Sequence, residues 1–429
     1  MLSPIVNQEH GRPLAPKKTA TLAASCVRAV NEARTALHQN GLPADRYLVN
    51  FFRANHQFGS RDRHAITESV FSFFRWYGCL KLVFDLNNFS NTPEMAIAAA
   101  LCADHAAVPV AAHWLGDTDE LPEDSFERIR IVSKSNRMLS PRDLVPDWMQ
   151  EEIAPELLTP WLTALQTRPY VWLRAQNTTA EQLVSLLKKY EVEAEEFPSL
   201  QGAVKLKNRN IKLGGLPAAL QRYFEVQDLS SQCIAAPAQP KAGEVWWDVC
   251  AGAGGKTMQL ASTSNGKAEI LATDIRENIL EEIKRRAKQG GFRTIRVANA
   301  AQVPKQKLFD GILTDVPCSS SGRWRRNPEA RWIFTKEKLD ELNRTQYQIL
   351  CRASEQVKPG GRLIYGTCSI FRCENQEIIR KFLTGHPKFE LAAFPAPLNP
   401  EVITDGMYTA MAEPAGCDFS FCAMMKRKS

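Results

Sequence analysis

The stretch Asp248-Val-Cys-Ala-Gly-Ala-Gly-Gly-Lys-Thr257 decides the fold of this chain. It follows an apolar run, Glu244 to Asp248, that reads as a buried strand, so it is a strand-to-helix turn of an α/β unit. In open α/β sheets ligands gather at the carboxyl ends of the strands, and the first such turn is the usual nucleotide cradle. Gly252, Gly254 and Gly255 let the backbone approach a ligand that a Cβ would hold off. Asp274 ends the next strand, twenty residues beyond Gly254, the spacing at which a carboxylate reaches ribose hydroxyls. Two rivals fail on residue identity. A phosphate-binding P-loop needs glycine where Cys250 stands, and a dinucleotide fingerprint needs it where Thr257 stands. A tight turn without a ligand is the plain alternative, and Asp274 and the later motifs weigh against it.

Downstream the rhythm stays strand, turn, helix. Further strands read at Ala268 to Asp274, Thr294 to Val297, Phe309 to Asp315 and Arg362 to Thr367, with helices at Asn278 to Gly290 and Lys338 to Val357. This alternation predicts a mostly parallel, doubly wound α/β sheet. Upstream, Arg168 to Gln232 reads as a small mixed α+β segment. It has a strand at Tyr170 to Arg174, a helix capped at Thr178 or Thr179, and short strands near Ala194 and Val204, taken together as a βαβ unit. Its basic strip, Lys205, Lys207, Arg209 and Lys212, fits nucleic-acid contact and a solvated face equally well. From Thr19 to Arg137 the pattern is helical, and Ile66, Val70, Phe73, Phe74 and Tyr77 form one helix face. An exposed acidic turn is expected at 116–124, and a proline-bracketed linker from Met138 to Asp147. The expected division is a helical domain over 1–145, a linker and small α+β subdomain over 146–230, and a catalytic domain over 231–429.

A chain of 429 residues, 44% hydrophobic, can bury two or three cores. With 54 basic against 47 acidic residues it permits a polyanionic partner without demanding one. Eleven cysteines in no paired framework, an N-terminus without a signal-peptide pattern and no apolar run of membrane length predict a cytoplasmic protein with no membrane contact. No CxxC pair occurs and no metal is expected; the spacings Cys368 to Cys373 and Cys417 to Cys422 lack matching partners. A monomer is expected.

Two cysteines stand apart from the rest. Asp315-Val-Pro-Cys318 and Thr367-Cys368-Ser369 each follow an apolar strand, which brings both thiols to the ligand face of one sheet. A lone cysteine is usually a small buried hydrophobe, but two at neighbouring strand ends beside a cofactor turn point to covalent chemistry. Cytosine C5 is a poor nucleophile until a thiolate adds at C6 and makes C5 enamine-like, able to attack the methyl of a sulfonium donor. The thiol must be partly ionised, a carboxylate such as Asp315 could bind the cytosine edge at N3 and N4, and a base must remove the C5 proton before the sulfur leaves.

Asp248 to Thr257, Thr314-Asp-Val-Pro-Cys-Ser-Ser-Ser-Gly322 and Tyr365-Gly-Thr-Cys-Ser369 resemble the signature blocks of the RNA cytosine-C5 methyltransferases of the Sun/Fmu and nucleolar Nop type. Val226-Gln-Asp-Leu-Ser-Ser-Gln232, Glu374-Asn375 and Asp418-Phe-Ser-Phe-Cys-Ala-Met-Met-Lys426 match as well, so the resemblance runs from about Trp148 to Lys426. It implies a Rossmann-like class I methyltransferase with Cys368 as covalent nucleophile, Cys318 assisting release and Asp315 in the base pocket. It also implies S-adenosylmethionine contacts from Cys250, Ala251, Gly252, Ala253, Gly254, Gly255 and Lys256, and from Asp274, Asn299 and Asp315. Two positions depart from the family pattern: Gly252-Ala253 stands where Ala-Pro is common, and Asn299 where Asp is usual. The helical N-terminal region, with Gly59-Ser-Arg-Asp-Arg63, resembles the domain similar to the antitermination factor NusB in bacterial small-subunit rRNA members, which points to ribosomal RNA.

Ser321 to Trp332 sets four arginines and two tryptophans directly after Cys318. Arg323, Arg325 and Arg326 are the expected RNA contacts, while Trp332 reads as a loop anchor. The competing readings are transfer RNA as substrate, a DNA cytosine methyltransferase in which Cys318 is the nucleophile, and an RNA-binding ribosome assembly factor with little turnover.

Overall fold

The computed structural model describes residues 15–86, 93–106, 108–116, 120–208, 213–304, 306–413 and 415–429. Part of the acidic turn (117–119) and Arg209 and Lys212 of the basic strip lie outside the described residues. The chain divides into two compact units, each assembled from separated stretches of sequence.

The first unit comprises Met1–Glu151, Leu165–Thr167 and Trp324–Phe334. It is helical, with helices Pro16–Asn40, Ala44–Ala54, Ser60–Val83, Pro93–Ala103, Pro109–Leu115 and Ser125–Ser133. The stripe read from the sequence is its core: Ile66, Val70, Phe73 and Phe74 are buried, with Tyr77 half-buried at the end of the row. Inside that core the Asp104 carboxylate accepts from Arg75, from Ser72 Oγ at 2.6 Å and from Trp76 Nε1 at 3.2 Å, which compensates the burial of an ion pair. In the segment 138–147 expected as a linker, Leu144 and Val145, between the two prolines, are buried, while Met138 is 76% exposed.

The segment Trp324–Phe334 belongs to this same unit although it follows the Cys318 loop in sequence. Trp332 Nε1 donates to the Phe74 carbonyl at 3.0 Å, Arg331 donates to the Arg75 carbonyl, and Glu329 accepts the Ala44 amide at 3.0 Å at the start of a helix. Trp324 is fully buried.

Among the described residues the second unit holds two main sheets and a separate two-stranded ribbon. The smaller has strands β1 (Trp172–Ala175), β2 (Ala194–Glu196), β3 (Ala203–Leu206) and β4 (Phe224–Val226), in the order β2-β3-β1-β4 with antiparallel neighbours. The expected βαβ unit is therefore split. The helix Ala180–Lys188 does cross from β1 to β2, but β3 returns between them and takes the hydrogen bonds that a simple unit would share.

The larger sheet contains β5 (Val245–Asp248), β6 (Glu269–Asp274), β7 (Ile295–Asn299), β8 (Phe309–Asp315), β9 (Val357–Thr367) and β10 (Phe389–Leu391). A ribbon of β11 (Pro395–Ala396) and β12 (Asn399–Ile403) stands apart, and β13 (Met407–Ala410) and β14 (Ser420–Arg427) complete the large sheet. Its order is β10-β14-β9-β8-β5-β6-β7, with β13 on β14, and all pairings from β7 to β9 are parallel. The central strands are covered on both faces, which is why they read as continuous apolar runs: Phe309, Ile312, Leu313, Leu363, Ile364 and Tyr365 are all inaccessible to solvent. This is the doubly wound architecture expected from the rhythm of the sequence. The antiparallel β14, inserted beside β9 with Phe421 opposite Thr367, was not anticipated. Among the described residues no helix is long and apolar enough to cross a membrane.

Candidate active site

Parallel order aligns the strand ends. Asp274 and Asn299 are register partners at the ends of β6 and β7, and Asp315 faces Gly366 where β8 and β9 finish. The turn between β5 and the helix Gly255–Thr263 starts from the same edge. It requires glycine at two positions, Gly252 at φ +52° and Gly254 at φ +86°, because a side chain is strained in the left-handed region. Space remains open beside Gly252 and Gly255, where an added Cβ would meet no heavy atom within 4 Å. The Gly252 amide donates to Asp274 Oδ2 at 3.1 Å, which ties the turn to the second strand. Burial opposes the charge on Asp274, but hydrogen bonds from Arg276 and Gly252 outweigh it and hold the carboxyl below its usual range. Asn299 spends its side-chain oxygen on the Ala301 amide at 3.0 Å.

Beneath the turn, Thr257 Oγ1 donates to the buried Asp248 at 2.6 Å, and burial pushes that carboxyl up to about 7. Lys256 reaches the other way, donating to Asp315 Oδ2 at 2.7 Å and Ser231 Oγ at 3.0 Å. Ser231 comes from the Gln-Asp-Leu-Ser-Ser-Gln block, whose two glutamines, Gln227 and Gln232, join a buried amide chain. Arg174 donates to Gln227 at 2.8 Å, Gln227 to Gln259 at 2.9 Å, and Gln259 to the Gln232 carbonyl at 2.8 Å. The chain fastens β1 to the helix that carries Lys256.

The two thiols meet. Cys318 Sγ and Cys368 Sγ lie 3.3 Å apart, fifty residues distant in sequence, and both are free cysteines. They differ in character. The hydrogen bond between the two thiols draws Cys368 down to about 7 against the effect of burial, with the Arg323 charge and Ser320 assisting. The same bond, together with burial, pushes Cys318 well up. The two shifts run in opposite directions, so ionisation of the pair is favoured at Cys368 over Cys318.

A knot of three hydroxyls joins the loops that bear them. Ser319 Oγ lies 3.0 Å from Ser321 Oγ and 3.1 Å from Ser369 Oγ, and Ser321 Oγ lies 3.1 Å from Ser369 Oγ. The Gly322 amide donates to the Cys368 carbonyl at 3.0 Å, so closely that a Cβ there would fall 2.3 Å from the Phe419 carbonyl oxygen and 2.9 Å from that of Cys368. Gly322→Ala is expected to destabilise the protein by about 1–3 kcal/mol and to displace the Cys368 loop, since backbone cannot yield as a side-chain tip does. Thermal unfolding followed by circular dichroism, with a parallel activity assay, measures both; an unchanged midpoint with unchanged activity would refute the clash.

The arginines part company. Arg323 is exposed beside the thiols, and Arg326 is half-buried. Arg325 does not fit the expectation of a phosphate contact: it is 2% exposed, and its guanidinium bonds Thr167 Oγ1 at 3.0 Å within the helical unit. Trp332 is an anchor, as read. Sequence reasoning gave no role to Gln346, Ser231 or the serine knot, and saw Glu374 only as part of a matching block. A polar residue kept inside an apolar helix face, as Gln346 is, was the available signal.

A profile of the family described as "16S rRNA methyltransferase RsmB/F" matches residues 235–425. A "Ribosomal RNA small subunit methyltransferase B" from Klebsiella pneumoniae is 31% identical over 310 residues, covering 70% of this chain and 69% of the relative. Among solved structures, the crystal structure of PH0851 superposes with a TM-score of 0.71 at 23% identity, covering 97% of this chain and all of that one. NSun6 from Pyrococcus horikoshii, solved with SFG, gives 0.55 at 16% identity over 66% of this chain and 97% of its own. The structural likenesses establish the fold, and the sequence likeness establishes the kinship. The glycine turn, the aligned carboxylates and the paired thiols are thus those of a chain that belongs to the 16S rRNA methyltransferase RsmB/F family and uses S-adenosylmethionine to methylate RNA.

Proposed function

We propose that this protein methylates C5 of a cytosine in small-subunit ribosomal RNA through a covalent bond between Cys368 Sγ and C6. The observation that carries the reading is the thiol pair, 3.3 Å apart at the ends of adjacent strands, in surroundings that lower Cys368 and raise Cys318. The open space at Gly252 and Gly255 and the Asp274 carboxylate fit a nucleoside-type donor along Cys250 to Lys256, with Asn299 at the adjoining strand end. When bound, S-adenosylmethionine supplies an electrophilic methyl group to C5.

The residues of the chain do the rest. Cys368 thiolate adds to C6, and the electron pair displaced onto the ring makes C5 nucleophilic. Asp315, held by Lys256, accepts from the cytosine amino group and fixes the base over the thiol. After methylation the C5 proton must leave. Cys318, 3.3 Å from Cys368, takes it once its own S–H proton has passed to solvent, and the electron pair of the C5–H bond then expels Cys368 sulfur and restores the aromatic ring. Arg323, exposed beside this loop, is a phosphate contact, with Arg326 as a second. The helical unit supports the same RNA as a NusB-like platform. Tritiated methyl transfer to small-subunit RNA fragments, set against transfer RNA transcripts, tests the substrate; label only in transfer RNA, or none in any RNA, would overturn the assignment.

The pH dependence follows from the thiol. A nucleophile that must be ionised and titrates near 7 reacts more slowly as pH falls below that value and levels off above it. Adduct formation with 5-fluorocytosine RNA is expected to follow that curve. Arg323→Ala should move the inflection upward, because the lost positive charge favoured the thiolate. A flat profile between pH 6 and 8 would contradict it.

A further inference from the structure

The backbone on either side of Cys318 is held by one buried pair of side chains. Gln346 Nε2 donates to the Pro317 carbonyl at 2.9 Å and to Glu374 Oε1 at 2.8 Å, which uses both amide protons. Glu374 Oε1 also accepts the Ser319 amide at 2.8 Å, and Oε2 accepts the Ser319 hydroxyl at 2.5 Å. The carbonyl before Cys318 and the amide after it are thus bound to the same two residues, each inaccessible to solvent. The Tyr365 hydroxyl, from the strand that leads to Cys368, donates to the Glu374 carbonyl at 2.6 Å and lies 3.4 Å from Gln346 Oε1. A carboxylate buried this deeply is kept only where its acceptors are filled, and here three donors fill it.

We infer that Glu374 and Gln346 are positioning residues for the release step, a clamp that fixes Cys318 where it can take the C5 proton. This rests on the covalent reading above and assigns to the pair a selective effect. Loosening Cys318 slows breakdown of the methylated adduct while leaving Cys368 able to form it. A residue that merely holds the fold together would lower formation and breakdown alike.

The test uses the full chain, S-adenosylmethionine and an RNA fragment with ordinary cytosine, comparing wild type, Glu374→Ala, Glu374→Gln, Gln346→Leu and Cys318→Ala. Methyl turnover and the denaturation-resistant protein–RNA adduct are measured together. Glu374→Ala is expected to lose turnover on the order of 100-fold, the scale of an ångström-sized misplacement, while its adduct accumulates above wild type. Glu374→Gln, which keeps an acceptor for the Ser319 amide, should fall between, and Gln346→Leu should shift both readouts in the same sense as Glu374→Ala. If turnover and adduct fall together in all three, or turnover stays at wild-type level, the clamp is refuted while the covalent reading stands on the adduct of Cys318→Ala. If Cys318→Ala itself accumulates no adduct, the release role of that thiol fails and the clamp falls with it.

Discussion

Cys368→Ala is expected to lose methyl transfer by roughly four orders of magnitude or more, the scale on which removal of a covalent nucleophile acts. The diagnostic experiment uses RNA bearing 5-fluorocytosine, which has no C5 proton to lose and therefore stalls after methylation. Wild type and Cys318→Ala should both yield an adduct that survives denaturation, and Cys368→Ala should yield none. The expectation rests on the asymmetry of the pair: the hydrogen bond across 3.3 Å lowers one thiol and raises the other, so a single sulfur is ready to attack at neutral pH. An adduct that needs Cys318 and tolerates loss of Cys368 would reverse the roles, as in the DNA-type arrangement. S-adenosylmethionine binding by each variant separates loss of the nucleophile from loss of fold.

Asp315→Asn should lower the single-turnover rate by about 100- to 1,000-fold, the range seen when one preorganised electrostatic contact at a reacting centre is removed. Two effects combine. The base loses the carboxylate that orients it, and Lys256, 13% exposed, loses the negative charge at 2.7 Å and is left with neutral acceptors, an amide oxygen and the Ser231 hydroxyl at 3.0 Å. An unpaired ammonium that far from water costs more than the ion pair returned. Lys256→Met in the Asp315→Asn background should cost less than the product of the single losses, since the second change removes the stranded charge. An effect of Asp315→Asn confined to KM for RNA would assign the residue to binding alone.

The catalytic half was legible because its chemistry is written at strand ends. The glycine turn, Asp274, Asp315 and the two thiols each follow an apolar run, and a parallel sheet has one edge on which such residues can gather. Side-chain partnerships were not legible. Nothing in the spacing of Gln346 and Glu374 says that both reach the loop around Cys318, since one lies on a helix and the other in a short turn after β9. The C-terminal strands escaped because β14 is antiparallel and opens on Ser420-Phe-Cys-Ala-Met-Met425, a run whose apolar stretch serves a strand or a buried helix equally. Arg325 misled for a different reason. Composition marks arginines as phosphate ligands, but the side chain is spent on Thr167 inside the helical unit. Burial of a long cationic stem leaves no trace in a local pattern.

The helical unit includes Trp324–Phe334, drawn from the middle of the methyltransferase sequence. A single cut in the chain therefore cannot separate the whole of this unit from the rest. A recombinant that replaced the first 151 residues with a foreign domain would inherit Trp324 and Arg331, both buried here, with no matching surface to receive them. Exchange of N-terminal domains between relatives is therefore expected to succeed only when the eleven-residue segment travels with its helices.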